Sequence, residues 1–174
     1  MEINLINKKT KRKCTSILVF SFYLLAASFL LASCDGTLYY SEYADIDEGG
    51  WDPADSACFS LEVDDTTSLF DLQVEVRNSV SYPYSNTFLF IHTTFPDGSI
   101  ARDTMEFPLT DGAGFWLGKS TGRYVDTRYR LRNSATRFPM KGTYHFAVTN
   151  GMRDSAISGI KHIGLRVEYS QSKK

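Results

Sequence analysis

The sequence predicts an all-β protein, a single antiparallel β-sandwich, and three observations carry that prediction. Apolar and polar residues alternate with a period of two in one stretch after another between Phe59 and Tyr169, the pattern of strands with one face in a core. Turn-forming clusters separate the stretches, among them Asp64-Asp65-Thr66-Thr67-Ser68, Pro96-Asp97-Gly98 and Asn150-Gly151. No stretch shows a long apolar period of 3.6 residues, and aromatic residues make up 14% of the chain, a load that favours strands. About eight short strands then have to bury two apolar sheet faces against each other. A jelly-roll and an immunoglobulin-like topology both satisfy the pattern.

Each element has its own signature. Phe59, Leu61 and Val63 point one way while Ser60 and Glu62 point the other. Phe70, Leu72, Val74 and Val76 alternate with Asp71, Gln73, Glu75 and Arg77, which predicts a half-buried strand. Tyr82-Pro83-Tyr84-Ser85-Asn86 is a connection, and Phe88-Leu89-Phe90-Ile91 is apolar on both faces, as in a strand central to its sheet. Proline presets φ and glycine accepts a positive φ in Pro96-Asp97-Gly98, so Ile100 to Leu109 returns as a hairpin partner. Tyr129 and Leu131 alternate with Arg128, Arg130 and Arg132, giving one wet basic face. Tyr144, Phe146 and Val148 form a further strand, Met152 to Ile157 is expected to make a short helical turn, and Ile163, Leu165, Val167 and Tyr169 close the domain.

The amino terminus is organised differently. Lys8, Lys9, Lys11, Arg12 and Lys13 form a basic cluster, followed by an apolar run from Ile17 to Leu31 and then Ala32-Ser33-Cys34. That order describes a secretory signal peptide; the apolar run, about 15 residues, is shorter than the roughly 20 a bilayer span requires. Leu31-Ala32-Ser33-Cys34 resembles the lipobox of bacterial lipoprotein precursors, in which the cysteine is acylated and becomes the first residue after cleavage. The expected organisation is a cleaved signal peptide over 1–33, lipidated Cys34 with an acidic tether over 34–54, and the β-sandwich over 55–174. Tyr39, Tyr40, Tyr43 and Trp51 are too many aromatics for a mere spacer, so part of 34–54 is expected to pack as an edge strand or across the sandwich. The membrane partner is then the lipid on Cys34.

Charge is unevenly placed. Twelve carboxylates and no Lys or Arg lie between Cys34 and Val76, whereas Arg77 to Lys174 carries fourteen basic against seven acidic residues. Oppositely charged strands lying side by side explain the split, as does a polar docking surface for an envelope partner. Nucleic acid is not an expected partner, because the basic residues are scattered. Of three cysteines, Cys14 leaves with the signal and Cys34 carries lipid, so Cys58 has no partner for a disulfide. It is expected to be a half-buried, inert thiol in its strand.

No catalytic chemistry stands out. His92, His145 and His162 are isolated, without a second ligand at metal spacing. Asp111-Gly112-Ala113-Gly114 lacks the Lys-Ser/Thr of a P-loop, and there is no Gly-x-Ser-x-Gly elbow. The expectation is therefore no enzyme, no cofactor, no metal and no small-molecule substrate. Contact residues are expected instead in Phe115 and Trp116, an aromatic pair framed by glycines, and in Arg153, in the connection before the last strand. Trp116 either fills the core or lies exposed as a contact for a partner or sugar; Arg153 either pairs internally with a carboxylate or meets a partner.

Several stretches together resemble the gliding-motility lipoprotein H family (GldH) of Bacteroidetes. They are Tyr82-Pro83-Tyr84-Ser85-Asn86, Phe95-Pro96-Asp97-Gly98 with Asp103-Thr104-Met105-Glu106, Gly114-Phe115-Trp116-Leu117-Gly118-Lys119, Phe138-Pro139-Met140-Lys141-Gly142-Thr143-Tyr144, Met152-Arg153, and Ile160 to Gly164. The resemblance spans roughly Val63 to Tyr169 and includes the lipobox. It implies a non-catalytic cell-envelope lipoprotein, an assembly or scaffold part linked to gliding and type IX secretion. Its expected place is the outer membrane on the periplasmic face, with other envelope, motility or secretion proteins as partners. Asp55-Ser56-Ala57, Asp65-Thr66-Thr67, Asp103-Thr104-Met105 and Asp154-Ser155-Ala156 also resemble the O-glycosylation motif of that phylum. The competing function is a surface carbohydrate-binding or nutrient-capture lipoprotein, which needs Trp116, Trp51 and the tyrosines to form an exposed platform.

Overall fold

The computed structural model describes residues 37–132, 135–154 and 156–171; the segment expected to be a signal peptide, Cys34 and Ser155 lie outside them. The strands are β1 (Leu38–Asp45), β2 (Ser56–Val63), β3 (Phe70–Ser79), β4 (Asn86–Thr94), β5 (Ile100–Pro108), β6 (Lys119–Ser120), β7 (Tyr124–Arg130), β8 (Gly142–Asn150) and β9 (Ile160–Tyr169). They form two antiparallel sheets, ordered β1-β9-β3-β7-β6 and β2-β8-β4-β5. The predicted all-β sandwich is the fold found. With the two-residue β6 set aside, β1 pairs with β9, β2 with β8, β3 with β7 and β4 with β5. The chain is thus one long hairpin whose successive rungs alternate between two sheets, which is jelly-roll order rather than the immunoglobulin one.

Strand parity fixes the core. Phe59, Leu61 and Val63 of β2, Leu89 and Ile91 of β4, and Tyr144, Phe146 and Val148 of β8 face Val74 and Val76 of β3 and Ile163, Leu165 and Val167 of β9. Aromatic residues close one pole, where the Phe70 ring sits 4.9 Å from Tyr39, 5.2 Å from Phe138 and 5.1 Å from Tyr169. Trp51 closes the other. It is 1% exposed, exchanges backbone hydrogen bonds with Ile157 and donates from Nε1 to Asp55 O at 2.9 Å. Asn150 Nδ2 donates to Trp51 O at 3.1 Å, and Asn150 Oδ1 accepts from Met152 N–H at 2.8 Å. This buried amide is satisfied on both ends, as a polar group in a core must be.

The acidic segment after Thr37 does more than tether. Its first strand, β1, is the edge of the five-stranded sheet, and Trp51 belongs to the core.

Three expectations are corrected. Cys58 is exposed, not half-buried; it shares parity with Ser60 and Glu62 on the outer face of β2. Residues 152–154 and 156–157 make bends and a bridge rather than a helical turn, because Ile157 is drawn into pairing with Trp51. The strand from Phe70 to Arg77 is not half-buried: β9 and β7 flank it, and Asp71 and Gln73 are also covered. Phe88 to Ile91 is internal to its sheet as predicted, between β8 and β5, although Phe90 is exposed on the outer side.

Trp51→Ala should lower the unfolding free energy by about 3–5 kcal/mol in urea titration, while Cys58→Ser should change it by less than about 0.5 kcal/mol. A second expectation concerns the turn before β3. Hydrogen bonds from the Ser68 hydroxyl, then from the Thr67 and Ser68 N–H groups and the Thr67 hydroxyl, hold the Asp65 carboxyl well below the usual carboxylate range. A depressed folded value adds stability above the unfolded pKa, about 4, and that stability drains away as pH falls below it. Asp65→Asn should therefore lose less stability than the parent between about pH 4 and pH 2; identical acid branches would remove that role from Asp65.

Candidate interaction surface

The connections gather at two poles. One holds the start of β1, the end of β9 and the segments 64–69, 95–99 and 131–141, joined by Tyr169 N–H to Thr37 O, Ser170 N–H to Leu69 O and the Thr136–Phe70 bridge. The other holds 46–55, 80–85, 109–118 and 151–159, joined by Trp51 and Ile157, by Leu109 N–H to Ser85 O, and by Tyr84 OH to the Asp154 carboxylate. The contact residues proposed from sequence all fall at this second pole.

Residues 109–118 form a closed, hydrogen-bonded tip. Asp111 N–H donates to Phe115 O at 2.8 Å, Leu117 N–H to Leu109 O at 2.9 Å, and Thr110 bridges Trp116. Asp111 Oδ1 accepts from the N–H of Ala113 and of Phe115, both at 2.9 Å, and Gly114 takes φ +88° to complete the turn. Alternation across the tip sends Trp116 inward, half-buried against the core, and leaves Phe115 72% and Leu117 52% exposed. The exposed pair is Phe115 and Leu117, not Phe115 and Trp116. Leu117 was missed, although a strand-like reading of 115–117 separates the two outer residues from the inner one. A sugar platform on Trp116 and Trp51 is not available, since one packs inward and the other is in the core.

Arg153 is exposed at the same pole, and among the described residues it has no ion-pair partner. His92, His145 and His162 stand on β4, β8 and β9, and among the described residues no group of three potential ligands converges. Of the four hydroxyl triplets, Ser56 and Thr104 are exposed and Thr66 is half-buried.

The outer face of the five-stranded sheet is ionic. Arg77 grips Asp126 through Nε at 2.6 Å and Nη2 at 2.9 Å, a bidentate pair. Arg130 Nη2 reaches Asp71 Oδ2 at 3.1 Å, and His162 Nδ1 contacts Asp45 Oδ1. Arg128 Nε lies 2.5 Å from Glu75 Oε1 without the alignment of a hydrogen bond, so charge holds that pair. Burial pushes the Glu168 carboxyl up, but the Arg166 guanidinium 2.7 Å away outweighs it and holds it below the ordinary range. A depression of about 660 Å³ opens here, lined by Tyr43, Asp45, Glu75, Arg77, Lys119 and Arg128 among others. Gly164 leaves room for the Tyr43 ring to lie across the sheet; a Cβ there would come within 2.7 Å of that ring, whose hydroxyl donates to Glu75. Burial, then that hydrogen bond, push the Tyr43 phenol up. Each acidic group in the depression already has a cation or His partner. Such an arrangement orients side chains and neutralises charge.

A family model described as GldH lipoprotein matches residues 38–167. The chain is 30% identical over 168 residues to a Gliding motility lipoprotein GldH homolog from Christiangramia forsetii, covering 92% of this chain and 99% of that one. It is 28% identical over 152 residues to the Gliding motility lipoprotein GldH of Flavobacterium johnsoniae, covering 83% and 93%. Among solved structures, dimeric latent PorU from Porphyromonas gingivalis shares 11% identity over 80% of this chain and 14% of its own, with a TM-score of 0.33, a likeness too slight to carry a functional argument.

The tip is seated by Gly118, where a Cβ would overlap Thr127 Oγ1 and Asp126 O on β7. Gly118→Ala should destabilise the domain by about 1–3 kcal/mol and speed amide exchange in 117–120; unchanged exchange there would show that the close approach is dispensable.

Proposed function

This chain belongs to the GldH lipoprotein family, and we propose that it acts as a non-catalytic, lipid-anchored assembly part of a cell-envelope machine that serves gliding motility and type IX secretion. Lipoprotein membership makes it a membrane-anchored envelope protein. The lipid sits on Cys34, in the outer membrane on its periplasmic face, and other motility or secretion proteins are the partners. The reading is supported chiefly by the tip, which offers two apolar side chains to solvent on a hydrogen-bonded frame. Cys34 precedes Thr37 by three residues, a reach of at most about 11 Å, so its lipid tethers the sandwich by the pole where β1 begins. Strands of eight to ten residues rise about 3.3 Å per residue, which sets the opposite pole roughly 30 Å away. Phe115, Leu117 and Arg153 then face away from the anchoring bilayer. Contact rather than turnover is the mode of action, in keeping with the ion pairs that occupy the carboxylates of the ionic face.

The double variant Phe115→Ser with Leu117→Ser tests this. Substitutions at such exposed sites should move stability by no more than about 0.5 kcal/mol each. In a gliding host lacking its own copy, the variant should accumulate in the membrane fraction yet fail to restore colony spreading and secretion of outer-membrane cargo. Full restoration of both would refute the tip as the working contact.

A further inference from the structure

One edge of β7 is only partly covered. β6 pairs with it at Asp126 and Val125 alone, through Lys119 and Ser120, and the chain before Gly118 turns away toward the tip. On its other side β7 is paired with β3 from Tyr124 to Arg130, and Leu131 N–H continues that ladder to Leu72 O at 2.9 Å. Backbone groups of an antiparallel strand alternate sides. With Leu131 turned toward β3, the N–H and C=O of Arg128 and Arg130 point to the open side, where among the described residues no strand pairs with them.

The chemistry beside this opening is one-sided. On the outer face stand the guanidiniums of Arg128 and Arg130, each against one carboxylate of β3, Glu75 and Asp71, yet still 48% and 54% exposed. On the inner face lie half-buried Tyr129 and Leu131, with Met105 of β5 also half-buried at the rim of the core. From Lys119 to Arg132 the chain has five cations and one carboxylate, Asp126, and Arg77 already holds that carboxylate in its bidentate pair.

We propose that this margin accepts an extended acidic segment of a partner protein as an added strand of the five-stranded sheet, beside β7 and in line with β6. The backbone of Arg128 and Arg130 supplies the ladder hydrogen bonds. Carboxylates at alternate positions of the segment meet the two guanidiniums, and the intervening apolar side chains cover Tyr129 and Leu131. A second copy of this chain is a poor occupant, since β7 laid against β7 brings arginines of both copies into one row, and like charges so placed destabilise a sheet. The other sheet has two edges, β2 and β5, of which β5 is blunted by Arg102, Asp103 and Glu106 and ends in Pro108. The β7 margin is separate from the Phe115–Leu117 tip, so either can fail without the other.

The test is amide exchange of the full lipidated protein in detergent, titrated with acetyl-Val-Glu-Val-Glu-Val-amide and, in parallel, with its lysine counterpart. The acidic peptide should slow exchange across 127–131, with an apparent affinity about tenfold above that of the lysine peptide and weakening as salt rises. Arg130→Glu should abolish the protection; because it also strips Asp71 of its cation, Arg132→Glu, which breaks no described ion pair, should lower the affinity severalfold on its own. No protection at millimolar peptide, equal protection by the lysine peptide, or protection confined to another edge would overturn the proposal.

Discussion

The two inner sheet faces are the constraint on which the remaining structure depends. Val74, Val76, Ile163, Leu165 and Val167 meet Phe59, Leu61, Leu89, Ile91, Phe146 and Val148, all 2% exposed or less. Fully burying each such side chain contributes about 1.5–3 kcal/mol. With the parity of every strand set by that burial, a slip of one residue would send valines into water and carboxylates or guanidiniums into the core. The poles need separate closure, because a sandwich is open at both ends. Trp51 plugs one and the Tyr39, Phe70, Phe138 and Tyr169 rings the other.

What the inner faces force outward is treated differently on the two sides. The four-stranded sheet turns out a mixed set, Ser56, Cys58, Ser60 and Thr143 beside Glu62, His145 and Phe90, with Ser60 Oγ 3.0 Å from His145 Nδ1 and the Thr143 hydroxyl donating to Glu62 at 2.6 Å. The five-stranded sheet turns out charges, and those from the acid-rich first part of the chain meet those from the base-rich second part: Asp45 meets His162, Asp71 meets Arg130, and Glu75 meets Arg128. These pairs meet three of the twelve carboxylates of the acid-rich part within the fold.

How much of this could be read from the chain depends on the range of the interaction involved. Parity is local, so the inward residues of β2 and β3 followed directly from alternation. The Pro96-Asp97-Gly98 hairpin is local too; Gly98 takes φ +83° and its N–H donates to Phe95 O at 2.9 Å. Strand order is long-range, and nothing within a strand chose a jelly-roll over an immunoglobulin arrangement. Cys58 was misplaced because a free thiol is usually buried, a preference that yielded to the parity set by Phe59 and Leu61. At the tip, the glycine frame drew attention to the right stretch, but dividing inner from outer needed the alternation of 115–117, which the Thr110–Trp116 bridge fixes. Gly118 and Gly164 gave no local signal, since the neighbours that need their bareness, Thr127 and Tyr43, are far along the chain or on another strand.

The hairpin-like path of the jelly roll brings β1 and β9 side by side, with Leu38 next to Glu168. Entry and exit of the chain therefore share one pole. Under the attachment proposed at Cys34, a reporter fused after the last strand would be crowded against the bilayer, whereas the connections at the far pole can lengthen or shorten without rethreading the sheets. On that proposal one pole is committed to attachment, and the other is where new binding habits can be tried.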